Sequence, residues 1–178
     1  MIKGEGTMRN LLVVVDMQND FITGALANPE GQKIVGKIAE FIYDFPGKVV
    51  YTADTHYDNY LKTQEGKRLP IPHCHVGSEG WAIVPEIGRA LEARNATNFI
   101  KSSFGSRVLA KFVQSHFYEE VYFVGVCTDI CVISNAMLCK AYAPETRIVV
   151  LKDMCAGVTP ESHEIALKAM QACQIDIE

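Results

Sequence analysis

Apolar runs and helical periodicities alternate along this chain. Asn10–Val15 (NLLVVV) is a continuous apolar run of the kind that suits a strand covered on both faces, and Asp16 follows it at once. Asn28 and Pro29 then read as the cap and first position of a helix, in which Ile34, Ile38, Phe41 and Phe45 recur at helical spacing up to Pro46-Gly47. Residues 49–52 form a second strand, with Asp54 just past its end. A helix over residues 85–94 leads to a short strand at 98–100, which Lys101 ends, and Ser106 caps a helix that runs to His116. Residues 121–124 (VYFV) are a further buried strand that stops at Gly125, and Ile130, Val132, Ile133, Ala136, Met137 and Leu138 read as the helix after it. Residues 147–151 predict a strand with Asp153 at its end. Thr159-Pro160 starts a last helix, and residues 175–177 close the pattern as a strand.

Strand and helix in alternation, with no repeat and no linker, predict one α/β domain over residues 1–178. Right-handed crossovers then give three layers: an open parallel sheet of about six strands with helices on both faces. Ligands in such sheets bind outside the carboxyl ends of the strands. Asp16, Asp54, Lys101, Cys131 and Asp153 each follow a predicted strand closely, so the fold would gather them on one edge.

Composition narrows the class. With 178 residues, 48% of them hydrophobic, the chain can bury a sizeable core without staples. A net charge of −4 gives no electrostatic reason to expect a nucleic-acid partner. No segment has the roughly 18–20 apolar residues of a membrane span, and the first ten residues, MIKGEGTMRN, lack the apolar stretch of a leader. A cytoplasmic protein with reduced thiols is the expectation, so the six cysteines are read singly rather than as a disulfide framework. Cys139, Cys155 and Cys173 are taken as small apolar filling.

The stretch 121–132 (VYFVGVCTDICV) carries the chemistry. A buried strand ends, the backbone turns, and Cys131 stands where a helix begins. The positive end of a helix favours a thiolate there. Lys101 is a cation to stabilise it, and Asp16 a group to take the thiol proton and return it to a leaving amine. The turn 125–128 can aim backbone N–H groups at a developing oxyanion. These parts describe acyl transfer through a thioester. A receiver-like acidic pair, Asp16 and Asp54 with Lys101, is the rival reading, and the long loop that follows fits it poorly.

That loop, residues 54–80, is the longest irregular stretch. It carries Asp54, His56, Glu65, His73, Cys74 and His75. Imidazoles with carboxylates suit a divalent ion, Zn²⁺ first and Mn²⁺ or Fe²⁺ as alternatives, and the spacing matches no closed structural zinc site. Cys74 is read as packing, Trp81 as packing the loop onto the next helix, His116 as a helix-end charge and His163 as a surface residue.

These motifs together resemble the isochorismatase-like cysteine hydrolases, and among them the nicotinamidase branch. The matching segments are residues 15–21 (VDMQNDF), 54–56 (DTH), 72–74 (PHC) with 77–80 (GSEG), 101–104 (KSSF) and 125–132 (GVCTDICV), in family order over nearly the whole chain. The resemblance implies a triad of Asp16, Lys101 and Cys131. It implies a cis peptide between Val126 and Cys127, and an oxyanion hole from the N–H groups of Cys127 and Cys131. It implies a metal held by Asp54, His56 and His73, with Glu65 where some relatives carry another histidine. Phe21, Leu69, Phe104 and Val126 are the implied substrate contacts, Leu69 standing where relatives often have an aromatic wall. The implied reaction turns nicotinamide into nicotinate and ammonia within NAD salvage. A small-molecule amide is the expected partner, and the chain is expected to form a homo-oligomer. A metal-free hydrolase of another small amide or vinyl ether, or a silent binding protein on the same fold, is the alternative.

Overall fold

The computed structural model describes residues 9–178; the leader reading, made on residues 1–10, lies outside the described residues for its first eight positions. Six strands form one sheet: β1 (Asn10–Val15), β2 (Lys48–Asp54), β3 (Thr97–Lys101), β4 (Glu120–Val126), β5 (Arg147–Ala156) and β6 (Asp176–Ile177). Their order is β3-β2-β1-β4-β5-β6, and every pair is parallel. The helices are α1 (Asn19–Ile22), α2 (Pro29–Asp44), α3 (Gln64–Arg68), α4 (Pro85–Ala93), α5 (Arg107–His116), α6 (Ile133–Tyr142) and α7 (Pro160–Ala172). Among the described residues no helix is long and apolar enough to cross a membrane.

Strand alternation divides the core. Leu12, Val14, Val124 and Val126 face α2 and α4, while Leu11, Val13, Val15, Val121 and Phe123 face α5, α6 and α7. The chain therefore winds outward from β1 on one face, returns through α5, and winds outward again from β4 on the other. The carboxyl ends of β1 and β4 lie side by side at the point where the direction reverses, with Val15 registered against Gly125. Such a switch point leaves a crevice. Each fully buried leucine, isoleucine or phenylalanine in the two cores is worth about 1.5–3 kcal/mol. That stabilisation offsets the cost of polar groups held out of water at the crevice.

The helix starts follow the chemistry read from the sequence. Asn28 Oδ1 accepts from the N–H groups of Glu30 and Gly31 at 3.0 and 3.2 Å. Ser106 Oγ accepts from Leu109 N at 3.2 Å, and Thr159 and Ser162 form a reciprocal capping box on α7. Gly125 has φ +116°, and a Cβ there would stand 2.2 Å from the Val15 carbonyl oxygen, so only glycine lets β4 pass β1 this closely.

Two expectations are corrected here. β5 does not stop at Leu151. An irregularity in its pairing between Phe123 and Gly125 lets it resume with Cys155 and Ala156 opposite Gly125 and Val126. Asp153 is thereby an exposed residue within the strand and is not gathered at the edge. Cys173 is exposed at the end of α7 rather than packed in the core, whereas Cys139 and Cys155 are buried as expected.

Candidate active site

Asp16, Lys101 and Cys131 meet where the sheet places them. Asp16 is the first residue after β1, has φ +48° and is fully buried. Lys101 ends β3 and reaches across the mouth of β2, bringing Nζ 2.7 Å from Asp16 Oδ2 and 3.3 Å from Asp54 Oδ1. The same ammonium donates to Cys131 Sγ at 3.6 Å. Thr52, from β2, donates to Asp16 Oδ1 at 2.6 Å and accepts from the Asp16 N–H at 3.3 Å, which fixes the carboxylate's orientation.

Burial dominates the electrostatics. It raises Asp16 above the ordinary carboxylate value, with Lys101 opposing and Asp54 adding to the rise. Burial works to lower Lys101, but the Asp16, Cys131 and Asp54 charges outweigh it and hold the ammonium charged. Burial, then the Asp16 carboxylate, push the Cys131 thiol well above its ordinary value, and Lys101 only partly offsets them. The sequence suggested a thiolate favoured by a helix start. In the structure a π-turn over Thr128–Val132 precedes α6, and the sulfur lies in a nearly dry site beside a carboxylate. Both shifts run the same way: a sulfur whose protonated form is favoured lies beside a carboxyl of raised proton affinity.

A second cluster adjoins the first through Asp54. Donor atoms of Asp54, His56, Glu65 and His73 all lie within 4.8 Å of one another. His56 Nε2 is 2.9 Å from Asp54 Oδ2 and 3.7 Å from Glu65 Oε1, and His73 Nε2 is 3.6 and 3.8 Å from the same two oxygens. His56 Nε2 is buried with no well-aligned hydrogen-bond partner among the described residues, despite that closeness. His73 Nδ1 bonds the Ile71 carbonyl at 2.9 Å, which leaves Nε2 as its inward donor. Burial raises Asp54, but the close His56 and His73 imidazoles and the Lys101 charge outweigh it and hold the carboxyl well below its usual range. Two imidazoles and two carboxylates, one imidazole nitrogen orphaned toward the others, fit a divalent cation such as Zn²⁺, Mn²⁺ or Fe²⁺.

The peptide between Val126 and Cys127 is cis, as the resemblance implied. The isochorismatase domain family matches residues 10–177. The chain belongs to that family. Within the isochorismatase family, the nicotinamidase/pyrazinamidase of Mycobacterium tuberculosis is 28% identical over 181 residues, covering 93% of this chain and 96% of its own. The isochorismatase family protein PncA of Bacillus subtilis is 30% identical over 174 residues, covering 90% and 93%. Among solved structures, the pyrazinamidase of Pyrococcus horikoshii in complex with zinc superposes with a TM-score of 0.79 at 30% identity, over 96% of this chain and 98% of that one.

The isochorismatase-family residues expected to touch substrate divide in two. Leu69 and Phe104 line a cavity of about 620 Å³ whose wall includes His56, Glu65 and Ile130, the residue before Cys131. Phe21 is not on that wall; its half-buried ring lies against His73, with centroids 5.6 Å apart. Val126 is fully buried and faces α2 near Gly31, because strand alternation turns it to the opposite side of the sheet from Cys131. It belongs to the core, which corrects its placement as a substrate contact.

Tyr60 and the buried partners of Gln18 escaped the sequence reading, and Trp81 and His163 were read only as loop packing and as a surface residue. Tyr60 packs its ring 4.6 Å from His56 and 5.1 Å from His73 and hydrogen-bonds the Leu69 carbonyl. Gln18 is fully buried; its amide donates to the Asp54 and Trp81 carbonyls and accepts from the Asp54 N–H. Trp81 Nε1 donates to Thr55 Oγ1 at 2.9 Å, so the indole fastens the loop to the edge of the site. His163 is not a free surface residue, since its Nδ1 lies 2.8 Å from Thr128 Oγ1. Thr52 and Gln18 sit in alternating or motif positions that signal polarity without naming a partner. Tyr60 and His163 carry no local signal at all.

Proposed function

We propose that the protein is an amidohydrolase that converts nicotinamide to nicotinate and ammonia through a thioester on Cys131, in the service of NAD salvage. The observation that carries the reading is the four-donor cluster built onto the nucleophile's own cation: Asp54 belongs to the cluster and lies 3.3 Å from Lys101 Nζ. The named relatives and the zinc complex of the Pyrococcus horikoshii pyrazinamidase support it.

The Cys131 sulfur attacks the amide carbon while its proton passes to Asp16, and the carbonyl electron pair moves onto oxygen. N–H groups of Cys127 and Cys131 receive that oxyanion; donors of this kind are worth about 10²–10³ in rate each. Asp16 returns the proton to the amine, the C–N bond breaks, and ammonia leaves a thioester. Asp16 then takes a proton from water, the hydroxide oxygen bonds the acyl carbon, and the C–S bond breaks as the sulfur regains its proton. Lys101 keeps Asp16 and the sulfur in register and balances the negative charge that moves between them. Asp54, His56, Glu65 and His73 would hold a divalent ion, which when bound supplies a Lewis-acid anchor for a ring nitrogen or a water.

The test is ammonia release from nicotinamide, pyrazinamide and butyramide, with and without a chelator. Turnover of the two ring amides, lost with chelator and restored by added Zn²⁺, is the expected result. Chelator-insensitive release from butyramide would sink the reading in favour of a metal-free hydrolase.

A further inference from the structure

The turn that follows β4 is held from behind at consecutive positions. Asn28 Nδ2 donates to the Gly157 carbonyl at 2.8 Å and lies 3.9 Å from Cys127 Sγ. Thr128 is fully buried, and its hydroxyl lies 2.8 Å from His163 Nδ1. Asp129 Oδ1 accepts from Val158 N at 3.1 Å. All three contacts come from the connector between β5 and α7 or from elements packed on it. Gly157 makes that packing possible: a Cβ there would stand 2.8–2.9 Å from the backbone and Cβ of His163. In front, Ile130 N and Val132 N both bond the Cys127 carbonyl at 3.0 Å, and Lys101 donates to Cys131 Sγ at 3.6 Å.

We propose that His163, acting through the Thr128 hydroxyl, is a positioning residue that sets the aim of the oxyanion turn. This rests on the acyl-transfer reading of Cys131. The physical reason is leverage. A threonine three residues before the nucleophile, fully buried and hydrogen-bonded, fixes the orientation of the peptide groups on either side of it. Those peptide groups must be in place before negative charge develops on the substrate oxygen, because donors that reorganise during reaction stabilise it less. A histidine on α7 makes the aim depend on the seating of that helix against Gly157, not on the substrate. Loss of the contact should therefore lower the rate of bond formation and leave ground-state binding, which the cavity wall provides, nearly unchanged.

Two readouts test it on wild type, His163→Leu, His163→Asn and Thr128→Val: steady-state ammonia release from nicotinamide, and affinity for pyridine-3-carbaldehyde read as protection of Cys131 from iodoacetamide. With the aldehyde, a C–S bond forms, the carbonyl pair moves to oxygen, and the thiol proton ends on that oxygen. Nothing leaves, so the adduct oxygen samples the turn. His163→Leu and Thr128→Val should each lower kcat about tenfold with KM held within about twofold, and weaken the aldehyde about tenfold. The double variant should fall no further than either single, and His163→Asn, whose amide can replace Nδ1, should recover most of the loss. Unchanged kcat and aldehyde affinity beside a lowered melting temperature would show the contact to be structural only. An equal loss in His163→Asn would also overturn the inference. Absence of ammonia from nicotinamide in the wild type is the failure of the functional reading alone; the ratio of aldehyde affinities still decides the role of His163.

Discussion

The sheet edge beside Cys131 and the donor loop are neighbours that share Asp54, yet they are held in different ways. Asp16 and Lys101 stand at the ends of strands whose register is fixed along their length, and Asp54 pairs directly with Lys101 in that register. Residues 55–80 have no ladder to sit in beyond one bridge between His56 and His75. Short backbone bonds and, above all, single side-chain contacts hold them instead. Tyr60 bonds the Leu69 carbonyl, Thr63 caps the short helix at Gly66 N, Asn19 donates to the Glu79 carbonyl and Asp20 accepts from Cys74 N at 2.7 Å. A sheet edge positions a few atoms accurately from distant parts of the sequence, whereas a loop of this kind depends on single polar contacts. The stretch after β1 serves both regions: Asp16 pairs with the Lys101 ammonium that contacts Cys131, while Gln18, Asn19 and Asp20 grip the loop.

If the two regions are separable, removing the nucleophile should leave the donor cluster untouched. Cys131→Ala should reduce ammonia release by about 10⁴-fold or more while Zn²⁺ binding by calorimetry stays at the wild-type value. Residual turnover near wild type would end the nucleophile assignment. Asp16→Asn should cost about 10³-fold through loss of the proton carrier. In the parent protein the sign of the pH effect follows from burial, which raises Asp16. Protonated Asp16 cannot take the thiol proton, so kcat/KM should fall as pH drops through that raised value. The acid limb should lie above that of an ordinary carboxylate and should vanish in the asparagine variant.

His56→Ala probes the other region. Its expected effect is loss of Zn²⁺ affinity by about 100-fold with a rise in KM for nicotinamide, while iodoacetamide still alkylates Cys131 at the parent rate. A changed alkylation rate would mean that the cluster and the triad act as one unit through Asp54.

How much of each region the sequence revealed follows the same division. The strands and capped helices were legible because period and cap chemistry are local: NLLVVV, Asn28-Pro29 and Thr159-Pro160 each announce an element within a few residues. Once the alternation of elements is read, the parallel sheet carries Asp16, Asp54 and Lys101 to one edge without further information. Asp153 broke the rule because the irregularity between β4 and β5 extends a strand that sequence alone ends early. Val126 was misplaced because alternation along β4 decides its face, and a motif match does not count the alternation. In the loop the donor types were legible, but the residues that hold them were not. Tyr60 and Trp81 act through one hydroxyl and one indole N–H whose partners lie elsewhere in the fold.

The smallest expected effect is the sharpest test of the comparison. Asp20 touches neither the sulfur nor a donor atom. Its Oδ2 accepts from Cys74 N, the residue after His73, and its Oδ1 accepts from Ala25 N at 3.1 Å. Cys74 has φ +44°, so the segment that presents His73 is held in a left-handed bend at this point. A hydrogen bond to a charged acceptor is worth about 1.5–3 kcal/mol, and a neutral one about 0.5–1.5 kcal/mol. Asp20→Ala should therefore loosen His73 and weaken Zn²⁺ binding about tenfold, and Asp20→Asn, which keeps an acceptor, should fall between. Alkylation of Cys131 should not respond, because Asp16 and Lys101 are placed by the sheet. If Asp20→Ala slowed alkylation as much as it weakened the metal, the loop would have to be part of what positions the nucleophile, and the division between a sheet-borne triad and a side-chain-borne donor set would not stand.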